Sequence, residues 1–230
     1  QQVSSAASDV YKRQILIPAR IQSSRFPEKM LQPIGKDPLI LHVYNKCVQS
    51  GLDTFVLTDS KRVASIIPNA IMTDDADNGT ERCCQVMNKL EYDQFVNVQG
   101  DMPDIAPNMI VSILEVLGNY KVATIFTDMP EEKQKDPNTV KLITNGKEAH
   151  WFCRASLDYG VHHLGVYGYK KEMADVYMNA EIYKEERIEK LEQLRWLQNG
   201  EKIGVAYVPN KCIEINAPED VDEWMKTQNL

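Results

Sequence analysis

Apolar residues fall along this chain in two alternating rhythms. Short unbroken runs, "QILIPA", "TFVLT", "NAIMT", "QFVNVQ" and "KVATIFT", predict strands buried on both faces. Between them apolar positions recur every three or four residues. That spacing predicts helices over "PLILHVYNKCVQSG", "SKRVASII", "GTERCCQVMNKLEY" and "PNMIVSILEVLG". In the first of these Leu39, Val43 and Cys47 share one face, and Gly51 ends the segment. Strands alternating with helices predict βαβ units. The expected fold is therefore α/β: a Rossmann-like, mostly parallel sheet with helices on both faces.

The second half is more mixed. "TVKLIT" turns at Asn145-Gly146, and "HHLGVYGYK" and "KIGVAYV" predict strands around one long helix, "KEERIEKLEQLRWLQNG". "NAPEDVDEWMKTQ" predicts a terminal helix with Asn216 as its cap and Pro218, Glu219 and Asp220 in its first turn. The expectation is a single domain over residues 14–230 with a smaller lobe around 148–200. The opening "QQVSSAASDVYKR" has neither a starting Met nor the apolar stretch of a signal peptide, so residues 1–13 are expected to be a disordered or extraneous tail.

Composition narrows the function classes. The 230 residues carry 26 Lys and Arg against 33 Asp and Glu, a net charge of -7. Coating a polyanion needs a broad basic face, so nucleic acid is excluded as a partner, whereas a small anion needs only a few focused cations. No run reaches the roughly 20 apolar residues of a membrane span, so no membrane partner is expected. The five cysteines, Cys47, Cys83, Cys84, Cys153 and Cys212, show no CxxC spacing. They point to a reducing cytoplasm rather than to disulfides or zinc.

In open parallel sheets ligands bind beyond the C-terminal ends of the strands, and two segments load that edge with charge. "PARIQSSRFPEK" places Arg20, Arg25 and Lys29 within ten residues, with hydroxyls from Ser23 and Ser24. These are charge-assisted donors suited to phosphate oxygens, although the loop matches neither the dinucleotide fingerprint nor the Walker pattern. A solvated basic turn is the plain alternative. "NVQGDMPDI" presents Asp101 just after a strand, where a carboxylate can hold a phosphate-bound metal or merely cap a turn; Asp104 is a weaker second. In "DDADNGTERC", Gly79 and Thr80 open a helix whose free N–H groups could receive an anion, with Glu81 and Arg82 in its first turn. His163, Tyr167, Glu192 and Gln193 are polar groups in apolar surroundings, equally readable as satisfied core residues.

The order of "IPARIQSSRFPEKML", "NGTER", "VNVQGDMP", "DPNTVKLI", "HHLGVYGY", "LEQLRWLQNGEKIGVA" and "NAPEDVDE" resembles the 3-deoxy-manno-octulosonate (Kdo) cytidylyltransferases, the CMP-Kdo synthetases, from Ile15 to the C-terminus. That family belongs to the sugar nucleotidyltransferase superfamily, and the resemblance implies its nucleotide-diphospho-sugar transferase fold with a mixed dimerisation lobe. It further implies a cytoplasmic homodimer that uses Mg2+ to move CMP from CTP onto the anomeric hydroxyl of Kdo, for lipopolysaccharide synthesis. By position, Arg20, Ser23, Ser24, Arg25 and Lys29 would hold the triphosphate, and Asn78, Gly79, Thr80 and Arg82 the cytidine. Gln99, Arg154, His163, Tyr167, Glu192 and Gln193 would face the sugar acid, and Asp101 and Asn216 the metal. Arg20, Lys29 and Asp101 would be the catalytic set.

Four departures accompany the resemblance. Glu28 stands where the family has Gly, Asn216 where it has the second metal-binding Asp, and "ADNGT" at Ala76–Thr80 replaces its usual cytosine loop. The segment "ASLDYGVH" after Arg154 is shorter than the family's sugar-side loop. Transfer to a related acidic sugar such as 8-amino-Kdo, or a degenerate binding homologue, are the alternative expectations.

Overall fold

The structure is a computed structural model that describes residues 11–22, 26–209 and 212–228. In chain order the elements are β1 (Arg13–Pro18), the short pair β2 (Pro33–Ile34) and β3 (Asp37–Pro38), α1 (Leu39–Val48), β4 (Asp53–Thr58), α2 (Lys61–Ala64) and β5 (Ala70–Met72). Then follow α3 (Gly79–Met87), β6 (Gln94–Val98), α4 (Pro107–Val116), β7 (Val122–Thr127), β8 (Lys141–Thr144), β9 (Ala149–Cys153) and β10 (Val161–Lys170). The chain continues through α5 (Met173–Asn179), α6 (Lys184–Glu189), α7 (Leu194–Gln198), β11 (Ile203–Tyr207) and α8 (Pro218–Thr227).

The main sheet runs β11-β7-β10-β6-β1-β4-β5. The pairs β6–β1, β1–β4, β4–β5 and β7–β11 are parallel, as the alternating pattern predicts. β10 lies antiparallel between β6 and β7 and also pairs with β8, which continues into β9. Successive residues of β1 face opposite sides, so Ile15 and Ile17 enter one core and Leu16 the other. Helices α1, α4 and α8 cover the first core, and α3, α5 and α7 the second. Every residue of β1 after Arg13 is buried, which accounts for its continuous apolar run. Just before β1 the Lys12 carbonyl accepts from the Asp93 and Gln94 N–H groups at 2.9 Å and 3.2 Å, and the Lys12 N–H donates to the Asp93 carboxylate at 2.9 Å.

Three sequence expectations are corrected. The long helix over residues 184–200 is two helices, broken where Lys190 turns left-handed at φ 54° and ψ 48°. Across the break, Arg195 clamps the buried Glu186 carboxylate with Nη2 at 2.6 Å and Nε at 3.0 Å and 3.1 Å, and stacks over the Tyr177 ring at 4.1 Å. Those contacts outweigh the helical rhythm, which runs through the break unchanged. Strand β9 was not anticipated, its "AHWFC" being short and interrupted by His150. The cap of α8 is Ala217, not Asn216; the Asp220 carboxylate accepts from the Asn216 and Ala217 N–H groups at 2.7 Å and 2.8 Å. Asp220 therefore performs the capping, and the Asn216 side chain is released toward the cavities below.

Candidate active site

Two cavities open at the C-terminal edge of the sheet. One, of about 500 Å³, lies between the loop after β1 and the start of α3 and is bounded by Arg20, Lys29, Asn78, Gly79 and Arg82. The other, of about 560 Å³, lies toward β10 and α7 and is bounded by His163, Tyr167, Gln193 and Glu214. Gln99, Asp101, Arg154, Lys190, Glu192 and Asn216 border both, so the two spaces meet there.

On the first side, a short 3₁₀ turn at Lys29–Leu31 delivers the Lys29 ammonium to within 2.6 Å of Asp101 Oδ2, with the two side chains 11% and 21% exposed. Asp101 follows β6, and its carbonyl accepts from the Ile215 N–H at 2.9 Å, which holds the segment carrying Glu214 and Asn216 against it. Glu28 is left-handed at φ 51°, the conformation for which the family's Gly is suited. Its carboxylate pairs with Arg62 on α2, so this departure from the family pattern has its own cationic partner. Arg82 is buried and fully engaged, donating to Asp59 Oδ2 at 2.8 Å, to the Thr73 hydroxyl and to the Asp74 carbonyl. It ties Thr73 and Asp74, ahead of α3, to Asp59 at the end of β4. Ser23, Ser24 and Arg25 lie outside the described residues.

The start of α3 is tightly built. Asn78 caps it, its side chain accepting from the Glu81 N–H at 2.8 Å. Gly79 sits in a tight space, since a Cβ there would lie 3.0 Å from the Gln99 amide and 3.1 Å from Pro18 Cγ. Glu192, expected to face the sugar, sends its carboxylate to this helix start. It accepts from the Gly79 and Thr80 N–H groups at 3.1 Å and 3.2 Å and from the Thr80 hydroxyl at 2.8 Å. Burial pushes the Glu192 carboxyl above its usual range, and these three donors oppose the shift. Through Thr80 Oγ1, Tyr169 Oη, Asn97 and Gln99, one hydrogen-bonded chain joins α3 to the junction of the cavities.

On the second side, His163 lies under the cavity in a buried aromatic group with Phe152 and Tyr167. Burial pushes it down to about 3, helped by the neighbouring His162, so it is neutral near pH 7. Thr124 spends its hydroxyl proton on the Val166 carbonyl at 2.8 Å. The 2.9 Å contact with His163 Nε2 is then a bond that the imidazole donates. Burial likewise raises the Tyr167 phenol. Gln193 is 1% exposed, and its Nε2 finds no hydrogen-bond partner among the described residues, an orphan donor beside a cavity. Arg154 is braced by the Glu189 and Asn138 carbonyls at 3.0 Å and 2.9 Å.

Glu214 was missed by sequence reasoning. It lines the second cavity together with Asp101 and Asn216, and Asn216 hydrogen-bonds its carboxylate. Burial raises its pKa first and the Asp101 charge next, with Lys29, Asn216 and Arg154 opposing. The available signal was its i, i+2 spacing to Asn216 in the extended "IEIN" run, which puts both side chains on one face. Among the described residues no three His, Cys, Asp or Glu side chains converge as a metal site. The oxygen donors at this edge are two carboxylates and one amide.

A mostly parallel α/β sheet with cations and a carboxylate at its C-terminal edge suits an anionic, phosphate-bearing ligand. The chain belongs to the cytidylyltransferase family, whose model, described as Cytidylyltransferase, matches residues 14–203. It is 35% identical over 229 residues to a 3-deoxy-manno-octulosonate cytidylyltransferase of Rickettsia rickettsii (strain Sheila Smith), covering 92% of this chain and 95% of the relative. It is 36% identical over 231 residues to an 8-amino-3,8-dideoxy-manno-octulosonate cytidylyltransferase of Shewanella sp. (strain ANA-3), covering 90% and 94%. Among solved structures, a CMP:2-keto-3-deoxy-manno-octonic acid synthetase complexed with CTP superposes with a TM-score of 0.87 at 31% identity, over 95% of this chain and 100% of that one. The resemblance read from the sequence is thereby borne out. No helix among the described residues is long and apolar enough to cross a membrane.

Proposed function

We propose that this chain transfers CMP from CTP to the anomeric hydroxyl of Kdo, releasing pyrophosphate and supplying CMP-Kdo for lipopolysaccharide synthesis. The observation that carries this reading is the meeting of the two cavities at Asp101: one is bordered by Arg20 and Lys29, the other by the orphan Gln193 amide and Arg154. In this reading the triphosphate lies in the first and the sugar acid in the second. The anomeric oxygen reaches the α-phosphorus at the junction, and its new bond to phosphorus forms as the bond to the bridging oxygen of pyrophosphate breaks. Such transfers ask the protein chiefly for positioning and charge neutralisation. Arg20 and Lys29 neutralise phosphate oxygens, and Arg82 and Glu192 hold the base-side turn in place. His163, neutral and with Nε2 committed to Thr124, is a fixed wall rather than a proton carrier.

Mg2+ fits the donor set, since Asp101, Asn216 and Glu214 offer only hard oxygen ligands. When bound by these residues it would supply positive charge to the phosphates. Asn216 brings an oxygen without charge, and the Glu214 carboxylate beside it restores one. We further read residues 14–230 as one working unit that pairs with a second copy through the lobe around 148–200. That lobe exposes Met178, Tyr183 and Ile188 at 48%, 36% and 73%.

The deciding measurement is pyrophosphate release from CTP and Mg2+, with Kdo, with 8-amino-Kdo, and with no sugar. Release that depends on Kdo supports the assignment. Release only with the amino sugar moves the acceptor to that analogue, and saturable CTP binding without release under any condition overturns the transferase reading.

A further inference from the structure

One cation at the junction of the cavities has no task in the reaction as derived so far. Lys190 ends α6 in the left-handed region, and its N–H closes the helix on the Glu186 carbonyl. Gly or Asn is the ordinary occupant of such a position, because a Cβ there crowds the backbone. Only one other described non-glycine residue has positive φ, Glu28, and that one is paired with Arg62. Lys190 has no such partner, for no carboxylate of the described residues lies within ion-pair distance of its ammonium. It nevertheless borders both cavities.

The surroundings fix this corner. Glu189, one residue earlier, accepts the Arg154 N–H on its carboxylate at 2.7 Å and the Arg154 Nε–H on its carbonyl at 3.0 Å. One residue later Leu191 is buried, and then Glu192 is anchored on α3. The strained turn is thus pinned on both flanks, and Arg154 and Lys190 share one rim of the junction. A residue kept in a costly backbone conformation beside a cavity, over-determined by its neighbours, has the character of a functional position.

We infer that Lys190 binds an oxyanion of the reacting substrates where the two cavities meet, either the carboxylate of the acidic sugar or a phosphate oxygen of the nucleotide. The inference rests on reading these cavities as sugar and nucleotide sites. Its alternative is a solvated lysine that only complements the C-terminal end of the α6 dipole.

Replacing Lys190 by Gly separates the two, because K190G keeps the left-handed turn and relieves its strain. Thermal midpoint, calorimetric titration of the full chain with CTP and with Kdo separately, and the KM for each substrate would be measured for wild type, K190G, K190N and K190R. The expected result is an unchanged or raised midpoint for K190G with affinity for one substrate weakened about 10- to 100-fold, the effect of losing one charge-assisted hydrogen bond. K190N should show the same loss, and K190R should recover most of it. Weakening confined to Kdo identifies the carboxylate, and weakening of CTP identifies a phosphate. Unchanged affinity for both substrates in K190G and K190N overturns the inference. If wild type binds both ligands but releases no pyrophosphate, the transferase reading fails instead, and the two titrations still decide the role of Lys190.

Discussion

At Asp101 a carboxylate oxygen lies 2.6 Å from the Lys29 ammonium, on the border of both cavities. Exchanging it for Asn keeps the shape and removes the charge. We expect D101N to lose at least about 100-fold in turnover, the scale of losing one preorganised electrostatic partner, with an unaltered far-UV circular dichroism spectrum. A rate close to wild type would remove Asp101 from the chemistry. His163 carries a prediction about pH. Its folded-state value of about 3 lies below the ordinary 6.5, so between these limits the unfolded chain binds more protons than the folded one. The stability contributed by neutral His163 is fully present above 6.5 and declines as pH falls through 6.5 toward 3. The slope is at most about 1.4 kcal/mol per pH unit for one group, and His162, pushed down to about 4, acts in the same direction. Urea unfolding of H163Q between pH 7 and 4 should show a shallower loss than wild type; parallel curves would contradict the assignment.

Among the elements, the angle between α6 and α7 is held by the buried Glu186–Arg195 pair, both members under 10% exposed. Removing one partner strands the other charge. R195M is therefore expected to cost about 3–5 kcal/mol in urea unfolding, and the double variant E186L/R195M to recover much of it. A single variant as stable as wild type would show that the corner is held otherwise. The corner also marks where sequence reading reached its limit. The spacing of Ile188, Leu191 and Leu194 continues a helical pattern, so periodicity alone has no means of registering a stop at Lys190. The stop is set by tertiary contacts on both sides of it: Arg195 returns to Glu186 across the break, and the first N–H groups of α3, over a hundred residues earlier, hold Glu192. Arg20, Lys29 and Asp101 were legible because each is charged and lies just beyond an apolar strand. Gln99 was legible only through the family resemblance. Glu214 was missed, because its one local signal, the i, i+2 spacing to Asn216, does not say which side of an extended run faces a cavity.

For the whole molecule, the parallel part of the sheet was legible from alternating strands and helices, whereas the antiparallel β10 at its centre was not. Its insertion between β6 and β7 brings Tyr167, His163 and Gly165 beside Gln99 and Glu214, and so makes the second cavity a wall of the first. The proposed pairing between copies is tested at this scale too. Ile188 is 73% exposed with Met178 and Tyr183 on the same lobe, so I188E should shift the light-scattering mass from twice the chain mass to one chain. A wild-type chain that is already monomeric would refute pairing through this lobe.

By itself the sequence determined most of the strands and helices, though neither β9 nor the stop at Lys190, along with the parallel character of most of the sheet and the charged loops at its edge. Those depend on short-range periodicity and on residues next to a strand end. Only the tertiary structure decided the order of the strands, the break at Lys190, the Glu192 anchor on α3 and the company that Glu214 keeps with Asp101 and Asn216. The Glu192 anchor and the meeting of Glu214 with Asp101 join residues over a hundred positions apart, and burial, not spacing along the chain, selects which partners meet.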